Sequence, residues 1–393
     1  MPKILGLDVS KSSISCCLLS DFPDDIKEFY YNYPFITLPA NADGIKKLLD
    51  FNADIAILEP TGINYSRIWQ MHLCSAGVEV RLVDHTKLRY YRQRHLELPN
   101  KDDDADALAL AAYGVEHLHN SGKFLSVQSK GSWELRKLVL RLRHLNRVRS
   151  PIINRIRQDL AWQFPEVQNV RSVSQSKKPP LLWGWLAGLR ASPKYERLYK
   201  ESIGLGLDDS VRTHSKRLCD LHVEEYTIEG QLEELLAHER YHLYRKVFAT
   251  FGFGLRTECT ILSQIFPLAK YLKDNQPVVM IRKGRISGKP TNRYLSERRF
   301  LKSTGLAPTQ EYSGDTKKAR IAGGSAVTRI SLWCWIFAAV EPKSSRNTAI
   351  KKELGEYLDR LKVNGKPVQL ARTKTAALAV KMLFRDLVKE ICD

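Results

Sequence analysis

The segment LPNKDDDADALALAAYG, Leu98–Gly114, joins a group of carboxylates to an alanine-rich apolar stretch. Four aspartates lie within five positions, and the apolar residues that follow predict a helix beginning at them. Asp103 and Asp106 are three residues apart, so their carboxylates project from the same face of the first turn. In a structural interpretation, Asn100 or Asp102 caps the helix and the other acids complement its positive end. In a functional interpretation, the carboxylates form a site.

The chain as a whole is strongly basic. It has 393 residues, with 62 Lys and Arg against 43 Asp and Glu, and a formal net charge of +19. This charge indicates a polyanionic partner, nucleic acid foremost, because Lys and Arg displace the counterions condensed on phosphates. The alternative is a merely basic soluble protein. The length predicts two or three domains with real hydrophobic cores.

Several classes of protein are excluded by what the sequence lacks. The 7 cysteines form no Cys-x-x-Cys pair and the 10 histidines are scattered, so neither a zinc site nor a disulfide framework is predicted. Asp8 interrupts the first apolar run too early for a signal peptide, and no run approaches the roughly 18 apolar residues of a membrane span. We therefore expect a cytoplasmic protein, neither secreted nor membrane-spanning.

Residues 1–125 have the pattern of an α/β domain. The runs KILGLDVS (3–10) and SISCCLLSD (13–21) predict paired strands, and ADIAILEPTG (53–62) and VEVRLVD (78–84) predict two more. A helical stretch ending at Gly77 separates the last two. Strand, helix and strand in this order predict a parallel sheet.

The remainder of the chain is predicted to be mostly helical. Residues 126–247 have apolar positions at helical or heptad spacing, which favours a coiled coil, with an inserted loop or linker around 167–196. Arginines on the other faces of the first helix are candidates for binding nucleic acid: Arg141, Arg143, Arg147 and Arg155. A second helical stretch covers 211–248, and 248–393 forms a last domain that ends in an amphipathic helix.

Two further carboxylates stand at the ends of predicted strands. Asp8 closes the apolar run that begins at Ile4, and Glu59 closes another. A carboxylate beside a buried strand is costly to desolvate, and a bound cation is the usual compensation. Together with Asp103 and Asp106 they predict a four-carboxylate site for paired Mg²⁺ ions in phosphodiester cleavage.

Glycines and basic residues in the last third suggest contacts with phosphate. Gly252 and Gly254 lie between apolar segments, as in a helix-hairpin-helix, whose backbone N–H groups approach phosphates closely; an ordinary helix-helix turn fits equally well. The segment IRKGRISGKPTNRYLSERR (281–299) is predicted to be a strongly basic loop. Arg329 is either a contact to the scissile phosphate or an arginine at the edge of the core.

The motifs GLDVSK (6–11), LEPTG (58–62) and KDDDADALALA (101–111), in this order, resemble the DEDD transposases of the IS110 family. The resemblance implies an RNase H-like, RuvC-like fold for residues 1–125, with Asp8, Glu59, Asp103 and Asp106 as ligands of Mg²⁺ or Mn²⁺. The third motif of the family reads Lys-Thr-Asp-x-x-Asp-Ala. Asp102 stands here in place of Thr, so pairing of Asp102 with Asp106 remains an alternative.

The segment STGLAPTQEYSGDTKKARIAGGSAVTRISLW (303–333) is similar to the C-terminal domain of the same family. That similarity implies that Ser313 is the nucleophile that attacks DNA, and Gly314 would let the backbone approach a phosphate. The chain departs from the family's pattern at two places. IAGGSAVTR stands where a pattern of Lys or Arg, Gly and Asn is more usual, and the span 267–300 is longer than is typical of the family. From the residues alone, Ser313 belongs to a Ser-Gly turn.

The family implies a transposase or recombinase of mobile DNA, guided by a structured non-coding RNA and assembled as a dimer or tetramer. Three alternatives stay open. A metal-dependent nuclease or junction resolvase would use the same carboxylates without a covalent step. An actin-like ATPase would use GLDVSKSS as a phosphate loop, and a non-catalytic RNA-binding scaffold would need none of the acids.

Overall fold

In the computed structural model of the chain, the described residues are 2–60, 65–98, 100–125, 130–284, 288–313, 316–321 and 323–392. The side chains of residues 121, 130, 131 and 310–320 lie outside this description. The chain divides into two compact units, Met1–Gln128 and Ser129–Asp393. The first unit is a mixed α/β structure and the second is mostly helical, as the periodicity predicts.

The first unit is built on one sheet. Its strands and helices are, in chain order, β1 Ile4–Val9, β2 Ser13–Leu19, α1 Ile26–Asn32, β3 Ile36–Pro39, α2 Ala42–Asp50, β4 Ile55–Leu58, α3 Tyr65–Ser75, β5 Glu79–Leu82, α4 His85–Tyr90 and α5 Asp103–Glu116. The strand order is β3-β2-β1-β4-β5. β1 pairs antiparallel with β2 and parallel with β4, and β4 pairs parallel with β5. The predicted strand pair and the predicted parallel unit are therefore confirmed.

Helix α5 lies directly against strand β1. A Cβ atom on Gly6 would stand 2.1 Å from the carbonyl oxygen of Ala107 and 2.4 Å from the amide nitrogen of Ala111. One on Gly114 would stand 2.7 Å from Cγ2 of Ile4. The helix thus runs antiparallel to β1, and its N-terminus lies at the carboxyl end of that strand. Residues 107–112 are completely buried, which explains why this helix is apolar on every side.

The second unit is organised around long helices. Its elements are α6 Lys130–Gln163, α7 Leu181–Leu186, α8 Pro193–Lys200, α9 Asp209–Leu236, α10 His242–Phe251, α11 Leu255–Ile265, β6 Val279–Lys283, β7 Pro290–Tyr294, α12 Leu295–Ser303, β8 Pro308–Ser313, β9 Thr316–Ile321, α13 Ala326–Trp335, α14 Ala349–Val363 and α15 Val368–Cys392. α6 packs along α9, and α6, α9, α10, α11, α13 and α15 contribute to one hydrophobic core. The predicted C-terminal helix is confirmed. Among the described helices, none is apolar over a length that could cross a bilayer.

Two predictions for this unit were wrong, and a third is refined. The stretch 167–196 is more than a linker, because α7 and α8 form within it and Leu182, Trp183 and Leu186 are buried in a separate apolar cluster with Phe164. The predicted helical stretch 211–248 is confirmed as helical, and it consists of two helices, α9 and α10, with a short 3₁₀ turn between them. The basic segment 281–299 contains most of an antiparallel hairpin of β6 and β7, followed by α12; Ile281, Thr291 and Tyr294 in its strands are residues that favour β-structure.

Replacement of Gly6 by alanine tests the contact between α5 and β1. The added methyl group would meet backbone atoms on α5, which cannot rotate away, so we expect Gly6→Ala to lower the free energy of unfolding by about 3 kcal/mol. Gly122→Ala is the matched control in the same unit, because its nearest neighbour is a side-chain atom 3.4 Å from the added carbon. Urea unfolding followed by circular dichroism measures both. Equal stability of the two variants would contradict the described packing.

Candidate active site

Two of the predicted acids lie side by side at one edge of the sheet. In the parallel pair of β1 and β4, Leu7 is opposite Leu58. The next residues along each strand are Asp8 and Glu59, so the register places them next to each other where both strands end. Their position follows from the rule that neighbouring parallel strands end at the same edge of a sheet.

The aspartates at the N-terminus of α5 lie near the same edge of the sheet. Asp102 is the N-cap, since its Oδ1 accepts the N–H of Ala105 at 2.7 Å, and its Oδ2 accepts the hydroxyl of Tyr30 at 2.6 Å. Asp103 and Asp106 occupy the first turn. Because α5 begins at the carboxyl end of β1, these two side chains are directed to the end of the sheet that carries Asp8.

The electrostatics of Asp8 connect all four acids. The pKa of Asp8 is raised to about 7, chiefly by burial and then by the negative charges of Asp106, Asp103 and Glu59 in that order. Burial also raises the pKa of Asp106, while the Arg92 guanidinium opposes this rise. The four carboxylates are therefore close enough to repel one another.

Two basic side chains that the sequence did not reveal also lie here. Arg92 belongs to a π-helical turn, Tyr91–His95, that follows α4. Arg92 is 2% exposed and its Nη1 lies 3.0 Å from Oδ1 of Asp106. His85 begins α4, and its Nδ1 lies 2.5 Å from Oε1 of Glu59. The sequence carried a signal for His85, because it follows the end of strand β5 at this same sheet edge, but none for Arg92.

Oxygen ligands of this kind suit Mg²⁺ or Mn²⁺. Within the described ranges, however, no group of three or more Asp, Glu, His or Cys side chains is placed so that it could hold a metal ion. Arg92 Nε is buried without a hydrogen-bond partner in the described part of the chain, and Nη1 forms its ion pair with Asp106 without the geometry of a hydrogen bond. The negative charges of the acids are thus gathered and only partly compensated by Arg92, and a bound cation relieves such repulsion.

The predicted nucleophile lies in the second unit. Ser313 is the last residue of β8, and its backbone pairs with Thr316 of the antiparallel strand β9. Gly314, the predicted phosphate contact, and the side chain of Ser313 are outside the described residues.

The predicted arginines of α6 differ in their surroundings. Nε of Arg141 lies 2.6 Å from Oε1 of Glu224 on α9, and Nε of Arg155 lies 3.2 Å from Oδ2 of Asp159. Arg147 is exposed and Arg143 is half-buried. Two of the four are thus held in ion pairs on the helix surface, where such pairs contribute little to stability.

The remaining candidates occupy turns and helix ends. Gly252 ends α10 in the left-handed conformation with φ +61°, and Gly254 precedes α11 with open space around it, which gives the predicted helical hairpin. Arg329 lies on α13 and its Nη1 donates to the carbonyl oxygen of Gly305 at 3.1 Å. This contact matches the interpretation of Arg329 as an arginine at the edge of the core.

Comparison with protein families agrees with the motif order. Residues 5–165 match the model of the IS110-type DEDD protein family, and the description of that family is "Transposase". No curated protein matches the chain. The matched range contains Asp8, Glu59, Asp103 and Asp106, and it ends just after α6, whereas Ser313 lies beyond it. Over residues 5–165 the chain is therefore similar to the IS110-type DEDD transposases, and the resemblance seen in the motifs is confirmed for that range.

Proposed function

We propose that the protein cleaves and rejoins DNA strands as the transposase of an insertion sequence. Its N-terminal part would be an RNase H-like, RuvC-like domain, and Asp8, Glu59, Asp103 and Asp106 would bind Mg²⁺ or Mn²⁺. The observation that carries the proposal is the pKa of Asp8, raised to about 7 by burial and by the other three acids within the family-matched range. The order β3-β2-β1-β4-β5 supports the proposed fold.

Magnesium bound there would stabilise the negative charge that develops on oxygen during phosphodiester cleavage. The residues of the chain hold and tune this position. Asp8 and Glu59 are fixed by the register of β1 and β4, and Asp106 is held 3.0 Å from the buried Arg92. His85 orients Glu59 through their short contact.

Two observations favour Asp103 over Asp102 as the third ligand. Both carboxylate oxygens of Asp102 accept hydrogen bonds, from Ala105 N–H and from the Tyr30 hydroxyl. The charge of Asp103 is among the main causes of the raised pKa of Asp8, whereas the charge of Asp102 is not. Asp102 is accordingly assigned to capping and Asp103 to the metal.

Ser313 is proposed as the nucleophile, on the strength of the family resemblance and of its place at the tip of the β8–β9 hairpin. Its Oγ would form a bond to phosphorus as a backbone P–O bond of DNA breaks, releasing a deoxyribose hydroxyl. Attack by a hydroxyl on the resulting phosphoserine rejoins the strand and frees Ser313. The energy of the broken bond is thereby kept for rejoining.

The partners proposed are DNA, a structured non-coding guide RNA and further copies of the chain in a dimer or tetramer. The net charge of +19 and the arginines of α6, among them the exposed Arg147, support binding to nucleic acid. Gly252 and Gly254, through the open end of α11, and Gly314 would approach phosphates. A protein with these partners would work at the nucleoid in the cytoplasm of a prokaryote.

Adduct trapping tests the covalent step. Incubation with element-end DNA, Mg²⁺ and co-purified RNA, followed by denaturing electrophoresis, is expected to reveal DNA linked to the wild-type protein. Ser313→Ala removes the attacking oxygen, so its adduct should vanish while DNA binding persists. Strand cleavage without any adduct in the wild type would instead identify a nuclease or resolvase, and Ser303→Ala controls for loss of a nearby serine.

The pair Asp103→Asn and Asp102→Asn tests the metal site. Asparagine caps helices as well as aspartate does, so Asp102→Asn should keep the fold and most of the cleavage activity. Asp103→Asn removes a ligand charge, and we expect it to slow cleavage by about two orders of magnitude or more. Mn²⁺ titration by calorimetry should show the same difference in affinity. Equal loss in both variants would remove the assignment of Asp103.

The raised pKa of Asp8 predicts how stability depends on pH without metal. In the folded chain Asp8 retains its proton up to about pH 7, whereas the unfolded chain loses it near 3.8, so stability falls as pH rises through this window. Asp8→Asn removes the penalty and should raise the melting temperature at pH 8 in EDTA, with a smaller gain at pH 4. The exposed Asp21→Asn is the control. A destabilised Asp8→Asn at pH 8 would contradict the charge repulsion.

A further inference from the structure

The hairpin of β6 and β7 stands free of the second unit's core. All ten residues of the two strands are exposed, among them Val279, Met280, Ile281 and Tyr294. A two-stranded hairpin that buries none of its residues gains little stability from its own contacts. This exposure points to a surface that is covered when a partner binds.

The register of the hairpin gives it two different faces. Met280 is opposite Arg293, and Arg282 is opposite Thr291, so these four residues share one face. Val279, Ile281, Lys283 and their partners Tyr294, Asn292 and Pro290 share the other. One face therefore presents two guanidinium groups, and the opposite face is largely apolar.

The charge of this segment has a single sign. Residues 275–296 contain five Lys and Arg and no Asp or Glu. The first acid after it, Glu297, is paired with Arg385 at 3.1 Å. The segment would attract a polyanion and repel a basic surface such as another copy of the same hairpin.

A basic cleft continues from the base of the hairpin. It has a volume of about 540 Å³, and its cationic residues are Arg293, Arg298, Arg299, Lys302 and Lys381. Pro308 and Thr309, at the start of β8, form part of its wall. The same strand ends at Ser313, so the cleft leads from the hairpin to the strand that carries the proposed nucleophile.

We propose that the β6–β7 hairpin is an arm that lies in the major groove of duplex DNA, with the cleft holding the adjoining phosphates. Each strand of five residues is about 17 Å long, and the major groove, about 12 Å wide, admits a two-stranded ribbon. Arg282 and Arg293 contact phosphates on one wall of the groove, and the opposite, aliphatic face packs on sugars of the other wall. The deep and narrow major groove of duplex RNA excludes such a ribbon. The choice of DNA as the ligand rests on the proposed function.

Duplex binding by the full chain tests the arm. The probes are a fluorescent 30-base-pair DNA and an RNA duplex of the same sequence, titrated at several salt concentrations. The double variant Arg282→Ala/Arg293→Ala is compared with Arg212→Ala/Lys366→Ala, which removes the same charge from exposed positions elsewhere. Because the altered residues are exposed, melting temperatures should match that of the wild type.

We expect the arm variant to bind the DNA duplex at least about tenfold more weakly, and its slope of log K against log salt to fall by about 2. The control pair should lose much less, and binding of the RNA duplex should change little in the arm variant. Equal DNA binding by the two double variants overturns the proposal, as does an equal loss for DNA and RNA. A change of oligomeric state with intact DNA binding would assign the hairpin to self-association and also overturn it.

The two proposals fail in different ways. If the wild type forms no covalent adduct but the arm variant still loses DNA duplex binding, the proposed recombination chemistry is wrong and the arm stands. If the adduct forms and the arm variant binds DNA as tightly as the control, the arm is wrong and the proposed function stands.

Discussion

The backbone contact between Gly6 and helix α5 is the constraint on which the candidate site depends. Any side chain at this position would meet Ala107 and Ala111 and push the helix away from the sheet. With glycine there, α5 packs on β1 at van der Waals distance, and its first turn is brought to the strand end that carries Asp8. A small-residue interface thus determines where the carboxylates lie, although none of its members has any chemistry of its own.

The acid cluster and the basic remainder of the chain have complementary roles. The chain carries a net charge of +19, yet it places four carboxylates at one sheet edge, where burial and repulsion raise the pKa of Asp8 to about 7. Arg92 compensates part of this negative charge. The proposed metal would compensate the rest of the negative charge. Without the metal, the repulsion among the carboxylates lowers the stability of the folded protein, a cost that is usual at functional sites.

Features of the fold that depend on local sequence patterns and on strand direction could be predicted from the sequence. The strands, the parallel unit and the position of Asp8 and Glu59 follow from apolar runs and from the shared edge of parallel strands. Short edge strand β3 gave no signal, since it has only four residues and buries only Leu38. Helix α7 was hidden because Pro179 and Pro180 indicate a loop, although Trp183 is buried. The burial of Arg92 arises from packing between α4, its π-helical turn and α5, which no single segment encodes.

Diffraction from crystals soaked in Mn²⁺, recorded near the manganese absorption edge, tests the central claim most directly. We expect an anomalous peak between the carboxylates of Asp8 and Glu59 and the first turn of α5, within ligand distance of Asp103 or Asp106. A peak elsewhere on the chain, or none at this sheet edge at a concentration that supports DNA cleavage, would contradict the account.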